Sequence, residues 1–149
     1  MTLPLEGLQT PANRPQLAVS AAIFRDGAVL VVRRARAPGR GLWSLPGGRV
    51  EFGETLDHGV QREVMEETGL GIAVTGLAGW REVLPPPDST GAGHYVVMSF
   101  AAQWRAGEPD LNDELDDFAW IDPAAPITLK TTQGLAEIIH AAHRLITQA

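Results

Sequence analysis

Three glutamates in one short stretch, Glu63, Glu66 and Glu67, define the chemistry this sequence can support. Read as a helix, they stand at i, i+3 and i+4 and share one face. Three carboxylates on one face repel one another, a cost that a purely structural helix avoids. A divalent cation relieves the repulsion, and oxygen-only donors favour Mg²⁺ or Mn²⁺ over zinc. The competing reading is a solvated acidic face, the ordinary fate of a charge run. Leu56, Val60 and Val64 fall beside the carboxylates on the helical wheel, so the acidic edge borders the buried stripe. Thr55 is a predicted N-cap, Asp57 lies in the first turn, and Gly69 is a predicted stop. Cations on such an edge lower the pKa of bound water and neutralise the charge of nearby oxygens.

The elements that must position this helix are legible on either side of it. Ala18–Phe24 and Ala28–Val32 read as strands joined by Asp26-Gly27, a hairpin signal. Arg33, Arg34 and Arg36 follow, then a Pro/Gly-rich loop over 37–41 and a short apolar stretch, Trp43–Leu45. Pro46-Gly47-Gly48 and Gly53 are assigned to the loop leading into the helix, and Gly59 within it implies close packing on a neighbour. Later strands are expected within Ile72–Val83, over His94–Trp104 and over Phe118–Ile121, with a loop around Pro85-Pro86-Pro87. Thr131 or Thr132 is the expected cap of a final helix whose apolar residues, Leu135 to Ile146, follow helical spacing. Some strands are hairpin-linked and others enclose a helix, so the sheet should be mixed and the class α/β.

Gly48, Glu54, Arg62, Glu63, Glu66, Glu67 and Gly69, with Val64 and Leu70 at the aliphatic positions, fit the pattern Gx5Ex7REUxEExGU at every fixed position. The run therefore resembles the Nudix box. The resemblance implies a Nudix fold, an α/β/α sandwich with a mixed sheet between helices, and a metal-dependent pyrophosphohydrolase. It also implies Glu63, Glu66 and Glu67 as metal ligands, with Glu63 or Glu67 helping to activate water. A carbonyl of Gly47 or Gly48 is a further candidate ligand, and Gly48 a candidate for substrate approach; a tight loop with no such role is the alternative. Arg62 is expected to orient carboxylates, Glu54 among them, rather than form only a surface i,i+4 pair. Arg34, in the run Arg33-Arg34-Ala35, resembles the MutT-type arginine that contacts a substrate phosphate. Glu114, six residues before Trp120, resembles a fourth family carboxylate, with Asp113 and Asp116 competing for the role. It lies in Asp110–Asp117, which holds five acids in eight residues and reads as a mobile cover that closes over a loaded site.

The remaining features set bounds. The 149 residues suit one domain over 16–149 preceded by an extended arm over 1–15. With no cysteine, disulfides, thiolate zinc sites and cysteine nucleophiles are excluded. No apolar run is long enough for a membrane span and no secretory signal opens the chain, so cytoplasm is the expected location. A net charge of −6 argues against a nucleic-acid partner. A homodimer is the expected assembly, with Leu3, Leu5 and Leu8 of the arm available for exchange between subunits. Trp43 and Trp80 are candidates to stack on a base, although tryptophan more often packs in or beside a core. The expected substrate is a nucleoside diphosphate derivative: a nucleoside triphosphate, oxidised or not, or ADP-ribose. The alternative is a non-catalytic nucleotide-binding or regulatory Nudix domain.

Overall fold

A computed structural model describes residues 14–87 and 93–148. The arm up to Asn13, with its three leucines, and residues 88–92 of the proline-rich loop lie outside the described residues. The elements are β1 (Gln16–Arg25), β2 (Ala28–Arg34), β3 (Trp43–Ser44), β4 (Gly47–Arg49), α1 (Leu56–Thr68), β5 (Gly71–Val83), β6 (Tyr95–Ala106), β7 (Leu115–Ile121) and α2 (Leu135–Gln148).

The strands form one mixed sheet in the order β3-β2-β1-β6-β5, with β4 also on β1 and β7 also on β2. β1 and β6 run parallel, from Gln16 opposite Tyr95 to Phe24 opposite Gln103. The other pairings are antiparallel. Asp26 and Gly27 turn β1 into β2 with φ of 51° and 83°, the left-handed pair that a tight hairpin demands.

Both faces of the central strands are covered, which is why β1 and β2 read as nearly continuous apolar runs. Val19, Ala21 and Ile23 of β1 point to one side, with Leu30 and Val32, and meet Val60 and Val64 of α1. Ala22, Phe24, Val29 and Val31 point to the other and meet Leu135, Ile139 and Ala142 of α2. The result is the expected α/β/α sandwich. Among the described residues no helix is long and apolar enough to cross a membrane.

The detail that positions the site is the shared edge of β1. At its far end, Phe24 and Arg25 pair with β2. At its near end, Ala18, Val19 and Ser20 pair with Arg49, Gly48 and Gly47 of β4. The glycine pair is therefore not loop, as the sequence implied, but a short strand fixed in register. Three residues of strand fall below the reach of periodicity, and glycine carries no strand signal.

Two other expectations change. β7 begins at Leu115 rather than Phe118, because Leu115 is buried and Arg33 pairs with Asp117 in the ladder. α2 opens at Leu135, after Gly134 at φ 83°, so neither Thr131 nor Thr132 caps it directly.

The two cores serve different ends, since α1 carries the acidic edge and α2 does not. Ile139 is 1% exposed on the α2 side. Ile139→Ala should cost about 2–5 kcal/mol in urea denaturation. A loss below about 1 kcal/mol would show that α2 does not close a packed core.

Candidate functional site

α1 is fixed at both ends. Thr55 Oγ1 accepts the His58 N–H at 3.1 Å, and the Gly69 N–H donates to the Met65 carbonyl at 2.9 Å. Val60 and Val64 bury one face against the sheet, which leaves Glu63, Glu66 and Glu67 at its rim. Leu56 packs on the same core from the first turn.

Arg62 organises that rim. Its Nε donates to Glu54 Oε2 at 2.6 Å and its Nη2 to Glu54 Oε1 at 2.8 Å, a bidentate pair. Nη1 donates to Glu63 Oε1 at 2.9 Å and to Glu66 Oε2 at 3.2 Å, and Nη2 also reaches the Arg49 carbonyl of β4 at 3.1 Å. One guanidinium thus ties the helix, the loop before it and β4 together. The Glu54 side chain is only 8% exposed. Hydrogen bonds from Arg62, then from the Glu51 N–H, hold its carboxyl down to about 2. The same carboxylates push the Arg62 guanidinium upward, with Glu54 foremost. Gly59 needs to be glycine for a related reason: a Cβ there would lie 2.9 Å from Glu54 Oε1. Its close neighbour is this carboxylate, not another element.

Glu67 is held differently. It accepts the Gly47 N–H at 3.0 Å. Burial pushes its carboxyl up to about 7, with Glu63 and Glu114 adding to the rise and the Gly47 N–H and Arg34 opposing it. Gly48 faces Glu63, and a Cβ there would overlap the Glu63 carboxylate. Bare backbone at that point is the cradle that lets the carboxylate lie against β4.

Among the described residues, no three acidic or imidazole side chains form a ready-made metal cage. Arg62 holds Glu63 and Glu66, while the Gly47 N–H holds Glu67. The donor set itself, carboxylate oxygens beside a glycine backbone, suits a hard divalent cation. His58 meets Glu54 at 3.2 Å rather than Glu63, Glu66 or Glu67.

The other sequence-predicted residues divide. Arg34 ends β2: its charge helps to hold the Glu67 carboxyl down, and its Nε donates to the Pro38 carbonyl at 2.8 Å. Glu114 acts on Glu67 from the opposite sign. Its rivals are engaged elsewhere, Asp113 with Arg36 at 3.3 Å and Asp116 with Arg33 at 2.6 Å.

The segment around Glu114 is not the loose cover that its composition implied. The Asp110 N–H donates to Thr68 O at 2.8 Å and the Asn112 N–H to Glu67 O at 3.0 Å. The Glu114 carbonyl accepts the Ala35 N–H at 2.9 Å, and Leu115 is buried. Arginines from the β2 end and main-chain bonds to the end of α1 dock it, and neither is visible as an apolar face.

Trp43 is a core residue, 9% exposed, whereas Trp80 is 59% exposed. Arg81 is a residue that the sequence reading missed. It is half-buried on β5, and its Nη1 donates to the Gln133 carbonyl at 3.0 Å. β5 carries register shifts at 71–72, 74–76 and 77–79, so simple alternation along the strand loses count before reaching it.

A family model described as the NUDIX domain matches residues 14–142. An ADP-ribose pyrophosphatase of Methanocaldococcus jannaschii is 36% identical over 108 residues, which span 72% of this chain and 62% of that relative. The nucleoside triphosphatase NudI of Escherichia coli is 30% identical over 118 residues, spanning 74% of this chain and 84% of that protein. The crystal structure of a MutT NUDIX hydrolase from Burkholderia pseudomallei aligns with a TM-score of 0.74 at 28% identity, over 86% of this chain and 98% of that one.

The Arg62–Glu54 pair has a pH signature. The folded Glu54 carboxyl lies at about 2 against an ordinary 4.5, so its ionised form favours the fold. That stability is fully present above pH 4.5 and drains away as pH falls toward 2. Glu54→Gln should be less stable than wild type at neutral pH, and the gap should close across that window in urea denaturation. A gap that stays constant with pH would contradict the pairing.

Proposed function

The chain belongs to the Nudix family, and from that premise we propose that it is a divalent-metal-dependent pyrophosphohydrolase acting on a nucleoside diphosphate derivative. The observation that carries the reading is the rim of α1, where Arg62 holds Glu54, Glu63 and Glu66 in one network beside the Gly47–Glu67 hydrogen bond. The proposed cation is Mg²⁺ or Mn²⁺, with Glu63, Glu66, Glu67 and the Gly47 carbonyl as its ligands. When bound, it would neutralise phosphoryl charge and acidify the attacking water.

The chain's own residues have separate tasks in this reading. Glu63 or Glu67 takes the proton from the water. Glu114, whose charge adds to the rise of the Glu67 carboxyl, supplies a further carboxylate to the reaction. Arg62 touches no substrate; it fixes the carboxylates from behind, so that their geometry is set before substrate arrives. Arg34 holds a substrate phosphate, and the bare backbone at Gly48 lets that phosphate come close. The names of the relatives, one an ADP-ribose pyrophosphatase and one a nucleoside triphosphatase, support the bond type. They leave both a nucleoside triphosphate and ADP-ribose as substrates.

The test is a phosphate-release screen over nucleotides and ADP-ribose with Mg²⁺ and Mn²⁺, run on wild type and Glu67→Gln. Turnover of at least one diphosphate-containing substrate is expected. The substitution keeps volume and removes charge, so the rate should fall by about 10²–10⁴-fold with the fold intact by circular dichroism. A wild-type rate in Glu67→Gln would end the assignment. No turnover of any substrate would return the protein to the nucleotide-binding alternative.

A further inference from the structure

The last turn of a helix leaves carbonyls with no partner inside the helix. At the end of α1 two of them are met by the segment that runs from β6 to β7. The Asp110 N–H donates to the Thr68 carbonyl at 2.8 Å, and the Asn112 N–H to the Glu67 carbonyl at 3.0 Å. The start of the segment is held as well. Arg25 forms a bidentate pair with Glu108 at 2.9 and 3.0 Å, and Trp104 Nε1 donates to the Gly107 carbonyl at 2.8 Å. A Cβ at Gly107 would lie 2.6 Å from the Gly69 carbonyl oxygen, so the chain passes flush against the end of the helix.

Asn112 has a second contact through its side chain. Its Oδ1 accepts the Glu114 N–H at 3.0 Å, the bond to the main chain two residues on that asparagine favours at turns. Its carbonyl accepts the Leu115 N–H at 3.3 Å. From the other side the Ala35 N–H donates to the Glu114 carbonyl at 2.9 Å, one residue after Arg34, which stands opposite Leu115 in the β2–β7 ladder. Both main-chain groups of Glu114 are therefore fixed, one through Asn112 to Glu67 and the other to the end of β2. Asp113, Asp116 and Asp117 are each met by an arginine, whereas the Glu114 carboxylate meets none among the described residues. The clamp holds the main chain of Glu114 and leaves its carboxylate uncommitted.

We propose that Asn112 is a positioning residue, which holds Glu114 against the last turn of α1 so that its carboxylate works together with Glu67. The inference rests on the pyrophosphohydrolase reading, in which both glutamates serve the reaction. Asn112 itself touches no substrate and acts only through Glu114. Aspartate would offer the same acceptor, but with one more negative charge beside Asp110, Asp113 and Glu114. Asparagine makes the turn without that charge. A purely structural Asn112, one that only closes the end of α1, would cost the same whether or not residue 114 carries a carboxylate.

The experiment compares wild type, Asn112→Ala, Asn112→Asp, Glu114→Gln and the double variant Asn112→Ala with Glu114→Gln, on the nucleotide that wild type hydrolyses best. Asn112→Ala should lower kcat by about 10- to 100-fold, the scale of a small misplacement at a reacting centre, with KM within about threefold of wild type. Asn112→Asp keeps the acceptor and should recover most of the loss. In the Glu114→Gln background Asn112→Ala should cost no more than about threefold further, because the group it positions is already gone. An unchanged kcat in Asn112→Ala, or a loss of the same size in both backgrounds, would overturn the proposal. So would a full rate in Glu114→Gln, which leaves the hydrolysis itself standing. Amide hydrogen exchange reads the clamp without any activity. The Glu114 N–H should exchange about fivefold faster in Asn112→Ala, the worth of one hydrogen bond, and stay protected in Asn112→Asp. Equal exchange in wild type and Asn112→Ala overturns the inference whatever the activity. If wild type hydrolyses no compound, the pyrophosphohydrolase reading fails on its own, and the exchange comparison still decides whether Asn112 holds Glu114.

Discussion

The bidentate contact between Arg62 and Glu54 is the constraint on which the rest of the site depends. Neither side chain is well solvated, at 19% and 8% exposed. A pair buried to that degree is no assured source of stability, because desolvating both ions offsets much of their attraction. Its value is positional. With Glu54 as its anchor, Arg62 spends its remaining donors on Glu63, Glu66 and the Arg49 carbonyl. Three carboxylates that would otherwise splay apart are drawn to one cation, and β4 is drawn to the helix by the same group.

Around this anchor the sheet does what the helix alone cannot. β1 shares one edge between β2 and β4, and this brings Gly47 and Gly48 into register beside the glutamates. The Gly47 N–H fixes Glu67, and the missing side chain at Gly48 leaves space for Glu63. Glu67 then lies between opposed fields, Glu63 and Glu114 on one hand and Arg34 on the other. The carboxylate cluster and the arginine flank are parts of one charge arrangement, set where β4 and the segment before β7 meet the last turns of α1.

Much of this was legible before any coordinates. The helix, its Thr55 and Gly69 caps, the buried stripe at Val60 and Val64, the Asp26-Gly27 hairpin and the mixed sheet follow from spacing and turn chemistry, and the sandwich from the resemblance of the box. The features that escaped share a physical cause: each depends on a partner distant in sequence. Gly47 and Gly48 become a strand only because β1 offers them an edge. The acidic segment after β6 is docked by Arg33, Arg36 and main-chain groups of α1, none of which local composition displays. Arg81 was hidden by the register shifts of β5, and its partner, the Gln133 carbonyl, lies far from it along the chain. Trp43 and Trp80 look alike in sequence, and only the sheet decides that one is core and the other exposed.

The most direct test of this account is a double-mutant cycle between Arg62→Met and Glu54→Gln, read as kcat/KM on whichever nucleotide the protein hydrolyses best. If Glu54 acts by anchoring Arg62, either change alone should remove most of what both remove together. The cycle should then show a coupling of about 1–3 kcal/mol. Effects that add to within about 0.5 kcal/mol would mean that the two residues act independently, and would contradict the claim that one ion pair organises the site.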